Sequence, residues 1–208
     1  MKDSNPPSPS HKYPPLPSLA SLGLAPSDEK QSRLAGTELT KMGKFRFQLF
    51  ADWIAANFKP CRVADVGGGK GLLSYFLNQH KFAATVIDPF EQALPDKIKD
   101  IHTGERLRFT AKDQPPRISI DFNENLQEKF DLFVALHAHG CNISIINLCA
   151  SSGKKFAVLP CCVIAEPLTP PIGINWFTWL SNYAQNQGID IGYFKLNFKG
   201  QNIGLFSK

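Results

Sequence analysis

Apolar positions run along this chain in two rhythms, one near-helical and one of short uninterrupted runs, and they alternate from about residue 37 onward. Leu39, Phe47, Phe50, Trp53, Ile54 and Phe58 recur at near-helical spacing behind Thr37, a plausible N-cap, so an N-terminal helix is expected over 37–58 and Pro60 ends it. Short apolar runs at 63–66, 83–87, 118–120, 130–136 and 156–159 read as buried strands. Between them, 71–79 and 144–150 read as helices, 91–99 as a weaker helix, 101–117 as a polar, basic loop and 123–128 as one or two helical turns. A final long helix is expected at 176–187.

The end of the chain changes rhythm. Residues 189–197 alternate apolar and polar, Lys199-Gly200 offers a turn, and 202–206 is a further strand, together a β-hairpin with antiparallel strands. The expected fold is therefore α/β: a Rossmann-like, seven-stranded, mostly parallel sheet with an antiparallel C-terminal strand and helices on both faces. Residues 1–36 hold Pro6, Pro7, Pro9, Pro14, Pro15, Pro17 and Pro26 without apolar periodicity and read as a disordered Pro/Ser-rich tail, leaving 37–208 as one catalytic domain.

The sharpest chemical signal is the turn after the first strand, Val63-Ala64-Asp65-Val66-Gly67-Gly68-Gly69-Lys70-Gly71. A dinucleotide site needs G-x-G-x-x-G, so that a helix N-terminus can approach a pyrophosphate, but the position of the third glycine is Leu72. The pattern is instead D-x-G-x-G-x-G. That suits S-adenosyl-L-methionine (SAM), which lacks a pyrophosphate and carries a positive amine at its amino-acid end, and it disfavours a nicotinamide oxidoreductase. Gly67, Gly69 and Gly71 let the backbone approach the ligand, and Asp65 would hold the amino-acid end directly or through water.

Asp88 ends the second strand, 21 residues beyond Gly67, and is placed to accept from the two ribose hydroxyls. Asp121 and Phe122, after the third strand, would meet the adenine; the carboxylate can accept from the exocyclic amine, and Phe122 can pack on the ring or only against the core.

The segment 63–74 resembles the D-V-G-x-G-K-G-x-L-S motif of a branch of class I SAM-dependent methyltransferases that includes methyltransferase-like proteins and relatives of RNA methyltransferases. In that branch the fourth strand ends in L-H-A-C-G-D-L and the fifth in P-C-C; this chain has Leu136-His137-Ala138-His139-Gly140-Cys141 and Pro160-Cys161-Cys162. His139 stands where the branch has Cys and Cys141 where it has Asp. The resemblance implies a SAM-dependent methyltransferase with RNA as the first acceptor class to test. A small-molecule or protein acceptor, or a cofactor-binding module that has lost catalysis and joins partners, remains open. His137, with His139 behind it, is the candidate catalytic group: an imidazole can take the acceptor's proton, although alignment alone can drive an in-line displacement.

Charge and cysteine usage refine this picture without changing it. A net charge of +5 is compatible with an RNA partner, and Lys41, Lys44, Arg46, Lys97, Lys99, Arg106, Arg108, Lys112 and Arg117 could line a phosphate route, though acids interrupt them. Five cysteines, an odd number, point to a reducing, cytoplasmic setting and away from a disulfide framework. No run approaches the roughly 18–20 apolar residues of a membrane span. His137, His139, Cys141, Cys161 and Cys162 include zinc-ligand types, but H-x-H-x-C followed by adjacent cysteines is no recognised pairing, so buried reduced thiols and no metal are expected.

Overall fold

The computed structural model describes residues 43–208; the proline-rich tail and Thr37 lie outside them. Four largely apolar strands form the centre of a seven-stranded sheet: β1 (Arg62–Val66), β2 (Ala83–Ile87), β6 (Leu132–Leu136) and β7 (Lys155–Leu159). Two short strands, β3 (Lys97–Lys99) and β4 (Arg106–Arg108), pair separately as an antiparallel hairpin. β5 (Arg117–Ile118) forms one sheet edge and β8 (Ile191–Lys195) the other, in the order β5-β2-β1-β6-β7-β9-β8. The last strand, β9 (Ile203–Ser207), pairs antiparallel with β8 as the terminal hairpin pattern predicts, and it lies between β8 and β7, antiparallel to β7 as well.

Burial on both faces explains the largely apolar composition of these strands. In β6, Phe133 and Ala135 enter one core with Ala64, Phe156 and Ile146, whereas Leu132, Val134 and Leu136 enter the other with Val63, Leu73 and Phe50. The first core lies under α3 (Asn142–Ser152) and α4 (Trp176–Asn186), the second under α1 (Arg46–Asn57) and α2 (Leu72–Gln79). α1 is anchored by aromatic packing, its Trp53 ring stacking on Phe194 at 3.9 Å between centroids. Its described part begins with a 3-10 turn at Gly43–Phe45, and the chain is extended again at Phe58, just before Pro60.

The weak helix expected over 91–99 does not form. Pro95 removes a donor from its middle, and the backbone groups on either side are engaged elsewhere. The Leu94 N–H donates to Gln114 Oε1, and the carbonyls of Phe90 and Gln92 accept from the Arg117 guanidinium. Lys97–Lys99 is strand, and the expected loop 101–117 contains its partner β4 and a 3-10 turn at Ala111–Asp113. Among the described residues, no helix is long and apolar enough to cross a membrane.

Candidate functional site

The turn after β1 is built by glycine geometry and one buried acid. Gly67 has φ of 63° and donates its N–H to the Ile87 carbonyl at 2.8 Å; a Cβ there would stand 2.6 Å from the Ala138 Cβ. Gly71 caps α2 at φ 82°, where a Cβ would meet Pro115 Cγ at 2.7 Å. Both positions therefore exclude a side chain by conformation and by contact. Asp65, only 1% exposed, accepts from the Ser74 N–H (3.1 Å) and hydroxyl (2.9 Å) with one oxygen, tying β1 to the first turn of α2. Burial pushes its carboxyl up to about 7, with the Ser74 bonds and the Arg117 charge opposing.

Asp88 closes the other side of the turn. Its Oδ2 accepts from the Gly69 N–H and its Oδ1 from the Phe90 N–H, both at 2.9 Å, which fixes the carboxylate at the C-terminal end of β2 while leaving lone pairs on each oxygen. Gly67, Gly69 and Asp88 then line a cavity of about 550 Å³. Asp121, Phe122, His137 and His139 line the same cavity, which lies beyond the carboxyl ends of β1, β2 and β6. Asp65 and Gly71 are not part of its wall; they sit beneath the turn. Phe122 lines the cavity and also sets its ring against Phe133 at 5.9 Å and 69°.

His137 begins the loop after β6 in a left-handed conformation, φ 54°, with its N–H on the Leu159 carbonyl at 3.0 Å. Its Nε2 lies 2.7 Å from the Gln201 carbonyl. A carbonyl can only accept, so Nε2 carries the proton and, in the neutral ring, Nδ1 is the free acceptor. Burial lowers the His137 pKa, outweighing the Gln201 bond and aided by the Arg46 and His139 charges, so the neutral form is favoured. His139 is exposed at the cavity wall, whereas Cys141 is buried at the start of α3 and its thiol is pushed up by burial and by Glu166.

No known family model matches the chain, and no curated protein matches it. Solved structures similar to it include a ribosomal protein L11 methylase from Lactobacillus delbrueckii subsp. bulgaricus, with 16% identity, 78% of this chain and 76% of that one covered, and a TM-score of 0.46. Another is the magnesium protoporphyrin IX methyltransferase from Synechocystis PCC 6803 with bound SAM, at 17% identity, 79% of each chain and a TM-score of 0.48. A third is a TehB-like SAM-dependent methyltransferase from Corynebacterium glutamicum ATCC 13032 Kitasato, at 15% identity, 86% of this chain, 93% of that one and a TM-score of 0.43. At such identities and scores the likeness carries no functional inference. The chemistry of this chain's own cavity has to supply it.

Two residues that shape the cavity escaped sequence reasoning. Arg117, grouped there with the basic surface, turns inward: its guanidinium donates to the carbonyls of Gly69, Phe90 (3.0 Å) and Gln92 (2.9 Å), bracing the glycine turn against the segment after β2. Glu166, beyond β7, is 9% exposed and accepts from the Asn142 N–H (3.0 Å), the Asn142 side-chain amide (2.6 Å) and the Ile143 N–H (3.1 Å). It supplies the N-terminal acceptor that α3 lacks locally, since Cys141 makes no side-chain cap. Neither residue lies in a motif.

The five candidate metal-ligand residues separate in the structure. His139, Cys161 and Cys162 come together, whereas His137 and Cys141 stay outside the group. Cys161 and Cys162 have sulfurs 3.4 Å apart, and the Cys161 thiol also approaches the His137 carbonyl at 3.7 Å. Burial and the neighbouring thiol push Cys161 up to about 11. Of the basic residues, Lys97, Lys99, Arg106 and Arg108 are exposed and pair directly across the β3–β4 hairpin, Lys97 opposite Arg108 and Lys99 opposite Arg106. Directly opposed strand residues point to one face. The apolar residues between them, Ile98 and Leu107, pack against the second core.

Proposed function

We propose that this chain is an enzyme that transfers a methyl group from SAM to an acceptor, with RNA as the acceptor class, leaving S-adenosylhomocysteine. The observation that carries the reading is the convergence of Gly67, Gly69, Asp88, Asp121, Phe122 and His137 on one cavity. Its size falls within the ~300–1,000 Å³ usual for small-ligand sites. The residues fit the cofactor: a turn without side chains admits close approach, and the fixed Asp88 carboxylate has lone pairs free for two ribose hydroxyls. Asp121 can accept from the adenine amine while Phe122 meets the ring. Leu72, the first residue of α2, occupies the position a dinucleotide site would need as glycine.

Bound in this cavity, SAM supplies a methyl group already activated by its sulfonium sulfur. The protein's part is then to align the acceptor for in-line attack and to receive its proton. His137 suits the second task because its Nε2–H is held by Gln201, which leaves Nδ1 as the base, and burial favours the neutral ring. Asp65 acts beneath the turn as a positioning residue. RNA is favoured by the four exposed cations sharing one face of the β3–β4 hairpin, where a phosphate backbone would find a ladder of charge.

Calorimetric titration with SAM and S-adenosylhomocysteine, with NAD as control, tests the cofactor. Saturable binding of both is expected, reduced about 10- to 150-fold in Asp88→Ala, the loss corresponding to about 1.5–3 kcal/mol for hydrogen bonds to a charged group. Binding of NAD instead, or of none of the three by folded protein, refutes the reading. Methyl transfer to total RNA, compared between the native chain and a Lys97→Ala/Arg108→Ala variant over a salt series, tests the acceptor. Transfer with unchanged salt dependence in the variant would remove the hairpin from the account.

A further inference from the structure

β6 and β7 are parallel neighbours paired as far as Leu136 and Leu159, so the residues that follow them leave the sheet side by side. His139 stands three positions past Leu136, and Cys161 and Cys162 two and three past Leu159. The shared register, not sequence spacing, therefore brings the imidazole and both thiols together, with one ligand atom from each lying within 4.8 Å of the others. The cysteines are not joined in a disulfide, and the group is neither sealed in the core nor fully exposed.

We propose that His139, Cys161 and Cys162 form a three-ligand site for a soft divalent metal ion, zinc by the chemistry of the donors, at the margin of the cavity that His139 lines. Two thiolates and an imidazole select zinc over magnesium or calcium, which take oxygen ligands. A tetrahedral zinc with Zn–S bonds of ~2.3 Å holds its two sulfurs about 3.8 Å apart. The sulfurs here, at 3.4 Å, need move only a few tenths of an ångström. Binding releases both thiol protons and replaces the weak thiol contact to the His137 carbonyl with bonds that pin the His137–Cys141 loop to the end of β7.

Three protein ligands leave one tetrahedral position for water or for a donor atom of the methyl acceptor, the arrangement of catalytic zinc sites. That use of the fourth position rests on the methyl-transfer reading; binding of the ion does not. The two can therefore fail separately.

The test is cobalt and zinc binding by the full chain, stripped with a chelator and kept reduced with a phosphine. One equivalent of cobalt should give thiolate-to-cobalt charge-transfer absorption and the visible bands of a tetrahedral ion, and zinc should bleach them. Cys161→Ser and Cys162→Ser should each reduce the charge-transfer intensity and lower zinc affinity by more than the ~10- to 100-fold that loss of an outer-shell partner costs. His139→Gln should weaken zinc similarly while keeping both thiolates, and its exposed position makes loss of the fold no explanation. Cys149→Ser, which changes a buried thiol bonded to the Lys155 carbonyl, should leave the spectrum unchanged. Absence of stoichiometric binding by the folded native chain overturns the proposal, as do bands that survive both cysteine substitutions or an affinity indifferent to His139→Gln.

Discussion

Replacing Asp65 with Asn converts the most buried acid of the glycine turn into a measurable pH signature. The carboxyl is 1% exposed and is held through one oxygen by the Ser74 N–H and hydroxyl. Burial raises it from 3.8 to about 7. The folded protein therefore binds more protons at this position than the unfolded chain does between those two values. The sign follows: Asp65's contribution is fully present below the unfolded value, declines as pH rises, and is gone once pH passes the folded value. At about 1.4 kcal/mol per pH unit, a span of about three units amounts to about 4 kcal/mol. Asn has nearly the same shape, retains an oxygen for Ser74 and does not titrate. Urea denaturation of both proteins, from about pH 4.5 to about pH 8, isolates the effect, because the remaining ionisable groups are common to both. Native stability minus variant stability should fall by about 3–4 kcal/mol across the window. A difference that stays flat would mean that Asp65 titrates alike in both states. One that rises with pH would mean that the Ser74 bonds outweigh burial and the acid is ionised.

Arg117→Met removes the donors to the Gly69, Phe90 and Gln92 carbonyls and should cost about 1–3 kcal/mol in a urea melt, with a loss of SAM affinity of about tenfold. Arg117→Lys should restore little of either, because a single ammonium cannot reproduce a guanidinium fork across three acceptors. Full stability and binding in the methionine variant would show that the turn holds its shape without the brace. Glu166→Ala leaves the N–H groups of Asn142 and Ile143 without their acceptor and should destabilise by about 2–3 kcal/mol, while Glu166→Gln, which keeps an acceptor oxygen, should cost about half as much. Equal midpoints for Glu166→Ala and the native chain in a denaturant series would remove Glu166 as the cap of α3.

What could be read from the sequence, and what could not, divides along a physical line. The central strands were visible because burial on both faces demands mostly apolar runs, and the terminal hairpin because its alternation and the Lys199-Gly200 turn are local. The glycine turn was visible because its conformation excludes side chains at Gly67 and Gly71. The 91–99 segment failed for the opposite reason: its periodicity was local, whereas Gln114 and Arg117, which take its backbone groups, lie about 20 or more residues away and carry no periodic mark. Glu166 belongs to the same class, and of the imidazole–dithiol group the sequence showed the ligand types but not which of them meet. Glu166 caps a helix that begins 24 residues before it, and His139 meets Cys161 and Cys162 only because β6 and β7 lie parallel and in register. The turn beneath the cavity is thus encoded contiguously, whereas the braces and the thiol group are assembled by the sheet. Substitutions that shift the β6–β7 register should therefore scatter His139, Cys161 and Cys162 while leaving the turn from Asp65 to Ser74 intact, since the hydrogen bonds that hold that turn run within it and to Ile87, Asp88 and Arg117, not to β7.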